Sequence, residues 1–177
     1  MELASRRLIL RPLTLEQLWR GAHSGDAGPL LGFPPEKRMP RSQRAMQRKI
    51  YKAKAELMEM SPEAWLLSTA WQMIARDTGE LVGEIGFKGP PRLGEIELGY
   101  STRAAFRGRG YMPEAVAALC RFAFAQTQHP TDTVCAVTER DNLASQRVLQ
   151  KCGFARGGVR NGLLLWQLCR QGFTVSA

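Results

Sequence analysis

The sequence predicts an α/β fold of the α+β kind, with strands and helices mixed in a single domain over residues 1–177. Three observations predict it. Residues 69–100 hold three strand-like runs separated by turn chemistry, which reads as a meander. Residues 41–60 repeat apolar side chains at helical spacing. Residues 111–152 read as helix, strand, helix, and a hairpin signal follows. A chain of 177 residues has the length of one ordinary domain and can bury a core without disulfide or metal staples.

Each element has a local reason. Residues 6–12 (RRLILRP) form a short strand that ends at Pro12, which has no N–H for a ladder. Thr14 offers an N-cap to a helix carrying Leu15, Leu18 and Trp19 at helical spacing. The Gly- and Pro-rich stretch 21–40 reads as loop. The helix over 41–60 places Met46, Ile50, Ala53 and Leu57 in an apolar stripe, with Arg41, Arg44, Arg48 and Lys52 opposite. Strands follow at 69–76, 80–87 and 95–100, the first two joined by the turn residues Asp77, Thr78 and Gly79. Pro113 starts a helix over 111–125, where a missing N–H costs nothing. Residues 133–137 are a buried-type strand, and 142–152 a second helix closed by Gly153. Asn161-Gly162 between apolar runs marks a hairpin.

Composition narrows the function classes. With 44% apolar and 23% charged residues the chain matches ordinary globular proteins. No run of about 18 apolar residues is present, so no membrane-spanning helix is expected, and Arg6, Arg7 and Arg11 interrupt any signal-peptide core. Cys120, Cys135, Cys152 and Cys169 are scattered without metal-ligand spacing, which favours a reducing cytoplasm and no metal site. The net charge of +9 is unevenly spread: the first 60 residues hold 12 basic and 6 acidic side chains. Eight cations lie between Lys37 and Lys54 with no acid among them, either a solvated helix face or a surface for an acidic partner.

The most informative stretch is Phe106-Arg107-Gly108-Arg109-Gly110-Tyr111-Met112, set between a strand and a helix. Gly108 and Gly110 let successive N–H groups converge, the helix adds its positive dipole end, and Arg107 and Arg109 add cationic donors. Such a nest suits a pyrophosphate. Pro113 breaks the dinucleotide spacing, and no Lys-Ser/Thr pair follows to make a Walker loop. Taken alone, the loop also reads as a Gly-rich turn with solvated arginines. Downstream, Asn142 caps a helix that has Ser145 at its third position, which by itself is only a well-made helix start.

In this order and spacing, the motifs RRLILRPLT, GEIELGY, RGRGYMPEA and N-x-x-S-x-x-V-L-x-K-x-G-F resemble the GCN5-related N-acetyltransferase (GNAT) superfamily, nearest its RimJ/RimL-like ribosomal-protein branch. The resemblance covers roughly residues 6–170 and is weakest over 20–65. It implies a mixed, mostly antiparallel sheet with helices on both faces, and acetyl-CoA in a cleft where two parallel strands, 95–100 and 133–137, splay apart. Tyr100, Ser101 and Thr102 would pair with the pantetheine arm. The N–H groups of Arg107, Gly108, Arg109, Gly110, Tyr111 and Met112 would hold the pyrophosphate, and Asn142 and Ser145 would line the arm's far side. Two positions depart from the family pattern. Met112 occupies the last place of the turn, where the pattern has Gly or Ala, and Leu149 stands where many members carry a general-acid Tyr, so the acid role is unassigned.

Acetyl transfer to an amine needs a neutral nitrogen, and an ordinary alkylammonium titrates near pKa 10.4, so a base is required. Glu97, placed before Leu-Gly-Tyr like a Glu frequent in the branch, is the expected base. If strands 80–87 and 95–100 pair as a hairpin, Glu84 would lie nearly opposite Glu97, and neighbouring carboxylates raise one pKa. The plainer alternative is that Glu95 and Glu97 simply face outward on a half-exposed strand. Cys120 and Cys135 read as core residues, so direct transfer without an acyl-enzyme is expected. His23 and His129 have no partner pattern. The acceptor is a peptide N-terminus or a small amine; a polycation fits a chain of +9 less well. The basic 37–54 segment points to an acidic or ribosomal surface, and the protein is expected as monomer or homodimer. The reading in another class is a non-catalytic acyl-CoA-binding or nucleic-acid-binding module, which steep salt dependence would reveal.

Overall fold

The computed structural model describes residues 1–36 and 39–173. Its strands are β1 (Leu3–Ala4), β2 (Leu8–Pro12), β3 (Trp71–Ala75), β4 (Leu81–Phe87), β5 (Glu95–Thr102), β6 (Thr133–Thr138), β7 (Ala155–Arg160) and β8 (Leu163–Cys169). Its helices are α1 (Leu15–Ser24), α2 (Arg41–Met60), α3 (Trp65–Ser68), α4 (Tyr111–Phe124) and α5 (Leu143–Lys151). The strands pair into one sheet in the order β1-β2-β3-β4-β5-β6-β8-β7. All neighbours are antiparallel except β5 and β6, which run parallel because α4 carries the chain back between them. The mixed α+β sheet expected from the sequence is therefore present.

That parallel pair is short. Its ladder joins Glu95, Ile96 and Glu97 to Thr133, Val134 and Cys135 and then stops, although β5 continues to Thr102 and β6 to Thr138. Beyond Glu97 the two strands part, and the edge groups of β5 face a cleft rather than a neighbour.

Strand alternation divides the interior in two. Leu8, Leu10, Trp71, Met73, Ile85, Phe87, Ile96 and Leu98 pack with α4 in the larger core, which also takes Leu149 and Phe154. On the other face Leu13, Leu18, Ala70, Tyr51, Ala55 and Met58 form a smaller core under α1 and α2. Met112 is 5% exposed and packs into the larger core, so most of its side chain points inward from the turn. Leu149 is fully buried in that core, and its side chain does not line the cleft.

Local chemistry sets the element ends much as expected. Thr14 and Gln17 make a reciprocal capping box at α1. Asn161 and Gly162 both have positive φ, 50° and 81°, the two-residue turn that a twisted hairpin favours. The stretch 21–40 is more structured than its glycines imply. Helix α1 runs on to Ser24, and Gly28–Leu31 forms a 3-10 turn. Gly21 is a packing residue: a Cβ there would stand 2.8 Å from the Tyr51 ring, so only glycine lets α1 and α2 approach this closely.

Helix α2 has the expected limits, but its faces need correction. Tyr51, Lys54, Ala55 and Met58 are its buried residues, whereas Met46 and Ile50 of the anticipated stripe are 58% and 37% exposed. The stripe faces a cavity instead of the core. The first two cations of the basic segment, Lys37 and Arg38, lie outside the described residues. Among the described residues no helix is long and apolar enough to cross a membrane.

Candidate active site

The cleft opened by the diverging strands encloses about 570 Å³. Tyr100, Ser101 and Thr102 of β5 line one wall; Arg107, Gly108, Gly110, Tyr111 and Met112 line the end; Asn142 and Ser145 line the far wall. Ten of the thirteen residues singled out above line this cleft, and Glu84 lines the second cavity described below; Glu97 and Arg109 line neither. The Arg109 guanidinium lies 5.3 Å from the centre of the Phe106 ring.

The turn is built as a cradle. Gly108 and Gly110 both have φ of 75°, which L side chains rarely adopt, and Gly110 is the residue from which α4 starts. The first turn of α4 leaves its leading N–H groups without intrahelical partners and at the positive end of the dipole. Arg107 bends back, its Nε donating to the carbonyl of Thr102 at 3.3 Å. These features fit a pyrophosphate, and the long cleft beyond them fits the extended arm of coenzyme A.

One residue of this cradle escaped the sequence reading. Arg7, on the approach to β2, donates from Nη1 to the carbonyl of Arg109 at 3.1 Å and from Nη2 to that of Gly110 at 3.0 Å. A trans peptide holds its C=O and N–H in opposite directions. Anchoring those two carbonyls therefore turns the N–H groups of Gly110 and Tyr111 away from Arg7 and toward the cleft those residues line. Arg7 is itself fixed by Glu114, through Nε to Oε2 at 2.8 Å and its own N–H to Oε1 at 2.6 Å, and it stacks 4.8 Å from the Tyr111 ring. Burial pushes the Glu114 carboxyl up, but hydrogen bonds from Ser5 and Arg7 outweigh it and hold the pKa below the usual range. The sequence carries no sign of this, because 107 positions separate Arg7 from Glu114.

On the far wall the Asn142 side chain accepts from the Ser145 N–H at 3.1 Å, capping α5 as expected. This brings the Ser145 hydroxyl to 2.8 Å from the Tyr100 hydroxyl. Burial pushes the Tyr100 phenol up to about 12, against a smaller opposing effect of its hydrogen bond with Ser145, so it stays protonated.

A second cavity of about 390 Å³ lies between α2 and strands β4 and β5. It shares Tyr100 and Ser101 with the cleft, so the two spaces meet at that point of β5. Glu84 stands at the meeting point. It is the register partner of Gln72 on one side and of Ser101 on the other. Its carboxylate accepts from Gln47 at 2.7 Å, Tyr51 at 2.5 Å and Gln72 at 2.6 Å. Burial raises its pKa above the ordinary carboxylate value, and the three hydrogen bonds and the Lys54 charge offset this only in part. Gln72 could have been noticed in the sequence as the one amide in a wholly buried strand.

Glu84 and Glu97 are not opposite each other, which corrects the sequence expectation. The register pairs Glu84 with Ser101, four residues beyond Glu97. At about 3.3 Å per residue that separates them by roughly 13 Å along the sheet. The long loop between β4 and β5 causes this, because the hairpin closes around Lys88 and Glu97 instead of nearer Glu84. Glu97 pairs with Lys88 and lines neither space.

A family model described as an acetyltransferase (GNAT) domain matches residues 7–155. That match covers more than half of the chain, and the chain belongs to the GNAT family. An uncharacterized N-acetyltransferase of Bacillus subtilis, YjdG, is 38% identical over 86 residues, 48% of this chain and 50% of YjdG. The chain thus matches about half the length of its curated relatives. The acetyltransferase from Agrobacterium tumefaciens shares the fold with a TM-score of 0.65 and 22% identity, over 96% of this chain and 95% of that one. RimJ of Mycobacterium smegmatis, solved in complex with CoA-disulfide, does so with a TM-score of 0.63 and 16% identity, over 97% and 88%.

Proposed function

We propose that this chain is an acetyl-CoA-dependent N-acetyltransferase that moves an acetyl group directly to a primary amine, either a peptide N-terminus or a small amine. The observation that carries the reading is the meeting of two spaces at Tyr100–Ser101, one built for a phosphate-bearing arm and the other ending on an enclosed carboxylate. Bound in the cleft, acetyl-CoA supplies an acetyl thioester. The chain's own residues do the rest. The N–H groups at Gly110 and Tyr111, aimed by Arg7, hold the pyrophosphate, and Asn142 and Ser145 border the arm.

Glu84 is the residue we assign to take the proton from the amine. A carboxylate has about four lone-pair sites. Three are used by Gln47, Tyr51 and Gln72, which leaves one for an N–H of the acceptor. Its raised pKa moves it toward the range in which a base works near neutrality. We assign the neutral Tyr100–Ser145 hydroxyl pair to donate a proton to the departing thiolate sulfur and to regain one from solvent, as Glu84 gives up the amine's proton to solvent. Glu97, held by Lys88, is assigned to the far rim. Cys120 is buried, with its thiol pushed up by burial, which supports direct transfer over an acyl-enzyme. The exposed cations Arg41, Arg48, Lys49 and Lys52 on α2 support an acidic surface, such as a ribosomal one, as the setting of the acceptor.

The test compares Glu84→Gln with Glu97→Gln in a free-thiol release assay. Removing a general base costs about 10²- to 10⁴-fold. Glu84→Gln should lose turnover on that scale with CoA affinity intact, while Glu97→Gln changes it less than tenfold. The reverse order would move the base to Glu97 and overturn the assignment.

A further inference from the structure

The walls of the second cavity select among amines. Ile50, Ala53 and Leu57 of α2 face the bare backbones of Gly86 and Gly99 across it, while Ile85 and Phe87 border it by backbone, their side chains lying in the larger core. A Cβ on Gly99 would meet nothing within 4 Å, so the floor there is open space. Its polar groups sit at the Glu84 end, at the Lys88 rim and at Lys54, whose Nζ lies over Gly86 and is turned to backbone carbonyls; the α2 side between them, Ile50, Ala53 and Leu57, is apolar. The volume of about 390 Å³ lies in the range of small-molecule sites, roughly 300–1,000 Å³.

Two features weigh against a second positive charge. Glu84 has one unused acceptor site, enough for a single ammonium or amine. Among the described residues the one other charge in the interior of the cavity wall is Lys54, whose Nζ donates to the carbonyls of Ser68 at 3.4 Å, Thr69 at 3.0 Å and Phe87 at 2.6 Å. All three of its donors are engaged, and it offers no acceptor. A diamine or polyamine would bring its second cation beside that buried ammonium with no carboxylate left to meet it, since Glu97 is paired with Lys88.

We propose that the cavity takes a primary amine carrying one uncharged apolar group of about leucine to phenylalanine size, with the nitrogen at Glu84 and the apolar group between α2 and Gly99. This rests on the transferase reading above. The apolar stripe of α2 that fails to enter the core has its use here, as a wall that pays a methylene-by-methylene premium for a fitting side chain.

The experiment measures kcat/KM by thiol release for leucine amide, 2-phenylethylamine, glycine amide and spermidine. Leucine amide and 2-phenylethylamine should exceed glycine amide and spermidine by tenfold or more. Gly99→Leu, which fills the floor, should remove that advantage without changing CoA affinity. Ile50→Asp, a partly exposed helix position that tolerates a polar residue, should shift preference toward spermidine, and it keeps the test decisive if Gly99→Leu does not fold. Equal or better turnover of glycine amide or spermidine, or an unchanged preference in Ile50→Asp, would overturn the proposal. Calorimetry of 2-phenylethylamine against the CoA-bound protein separates the two claims. Saturable binding that Ile50→Asp weakens, with no thiol released by any amine, supports the cavity assignment and sinks the transferase reading; no saturable binding sinks the cavity assignment.

Discussion

Arg7 shows how one side chain can prepare a site it never enters. Its fork spans two successive carbonyls on the outside of the turn, and the planar peptide carries the effect through to the N–H groups inside. Hydrogen bonds to a charged group are worth about 1.5–3 kcal/mol each when broken. Arg7→Ala should therefore weaken CoA binding roughly ten- to a hundredfold by calorimetry, with the acceptor KM unchanged. Arg7→Lys should recover only part of this, because a point-like ammonium cannot hold both carbonyls at fork spacing. Equal CoA affinity in wild type and Arg7→Ala would show that the turn holds its shape unaided. The glycines of this turn, the cap at Asn142 and the turn at Asn161-Gly162 were all readable in the sequence, since each acts on its immediate neighbours. Arg7 and Gln47 were not, because their partners are set by strand register and helix packing.

Helix α2 makes the same point for an element. Its period was legible, and so were its limits. Which apolar stripe meets the core was not, because a core face and a cavity wall use the same residue types. Tyr51 and Ala55, one turn on from each other, form the buried seam beside Lys54, while Ile50, Ala53 and Leu57 of the more regular stripe look out over the cavity and Met46 is exposed. Lys54 is the tether that fixes this rotation, tying α2 to the end of α3 and to β4. Burial lowers its pKa from 10.5 to about 8, with Glu84 opposing the shift. Below about pH 8 both folded and unfolded chains hold the proton, and the fold bears the full cost of burying it. Between about 8 and 10.5 the unfolded chain binds more protons than the folded one, so this group's contribution to stability rises with pH there. Urea unfolding of wild type and Lys54→Met should show the difference moving in favour of wild type across that window. A pH-independent difference would mean that Lys54 titrates normally. At the start of α1, Thr14→Ala removes the cap and should cost about 1 kcal/mol in the same measurement.

For the whole molecule, the sheet separates two ligand spaces and joins them at one place. The parallel pair stops at Glu97 and Cys135, the cleft begins where it stops, and Glu84 waits on the other face beside Ser101. The overall charge of +9 divides accordingly: Arg107 borders the end of the cleft at the Gly108–Gly110 turn, while Arg41, Arg48, Lys49 and Lys52 are exposed on α2. Because the Glu84 pKa is raised, its base form is lost as pH falls at a point above the ordinary carboxylate range. The acid limb of kcat/KM should sit correspondingly high in wild type and change in Glu84→Gln; an acid limb identical in both would remove Glu84 from the proton path. The central claim is that the turn at Gly108–Gly110 holds the phosphates of acetyl-CoA. Calorimetric titration of coenzyme A into wild type and Gly110→Val tests it most directly, since a β-branched residue is strained at φ of 75°. Saturable one-to-one binding to wild type, weakened at least tenfold in a folded Gly110→Val, is the predicted result. No binding to wild type, or equal binding to both, would contradict it.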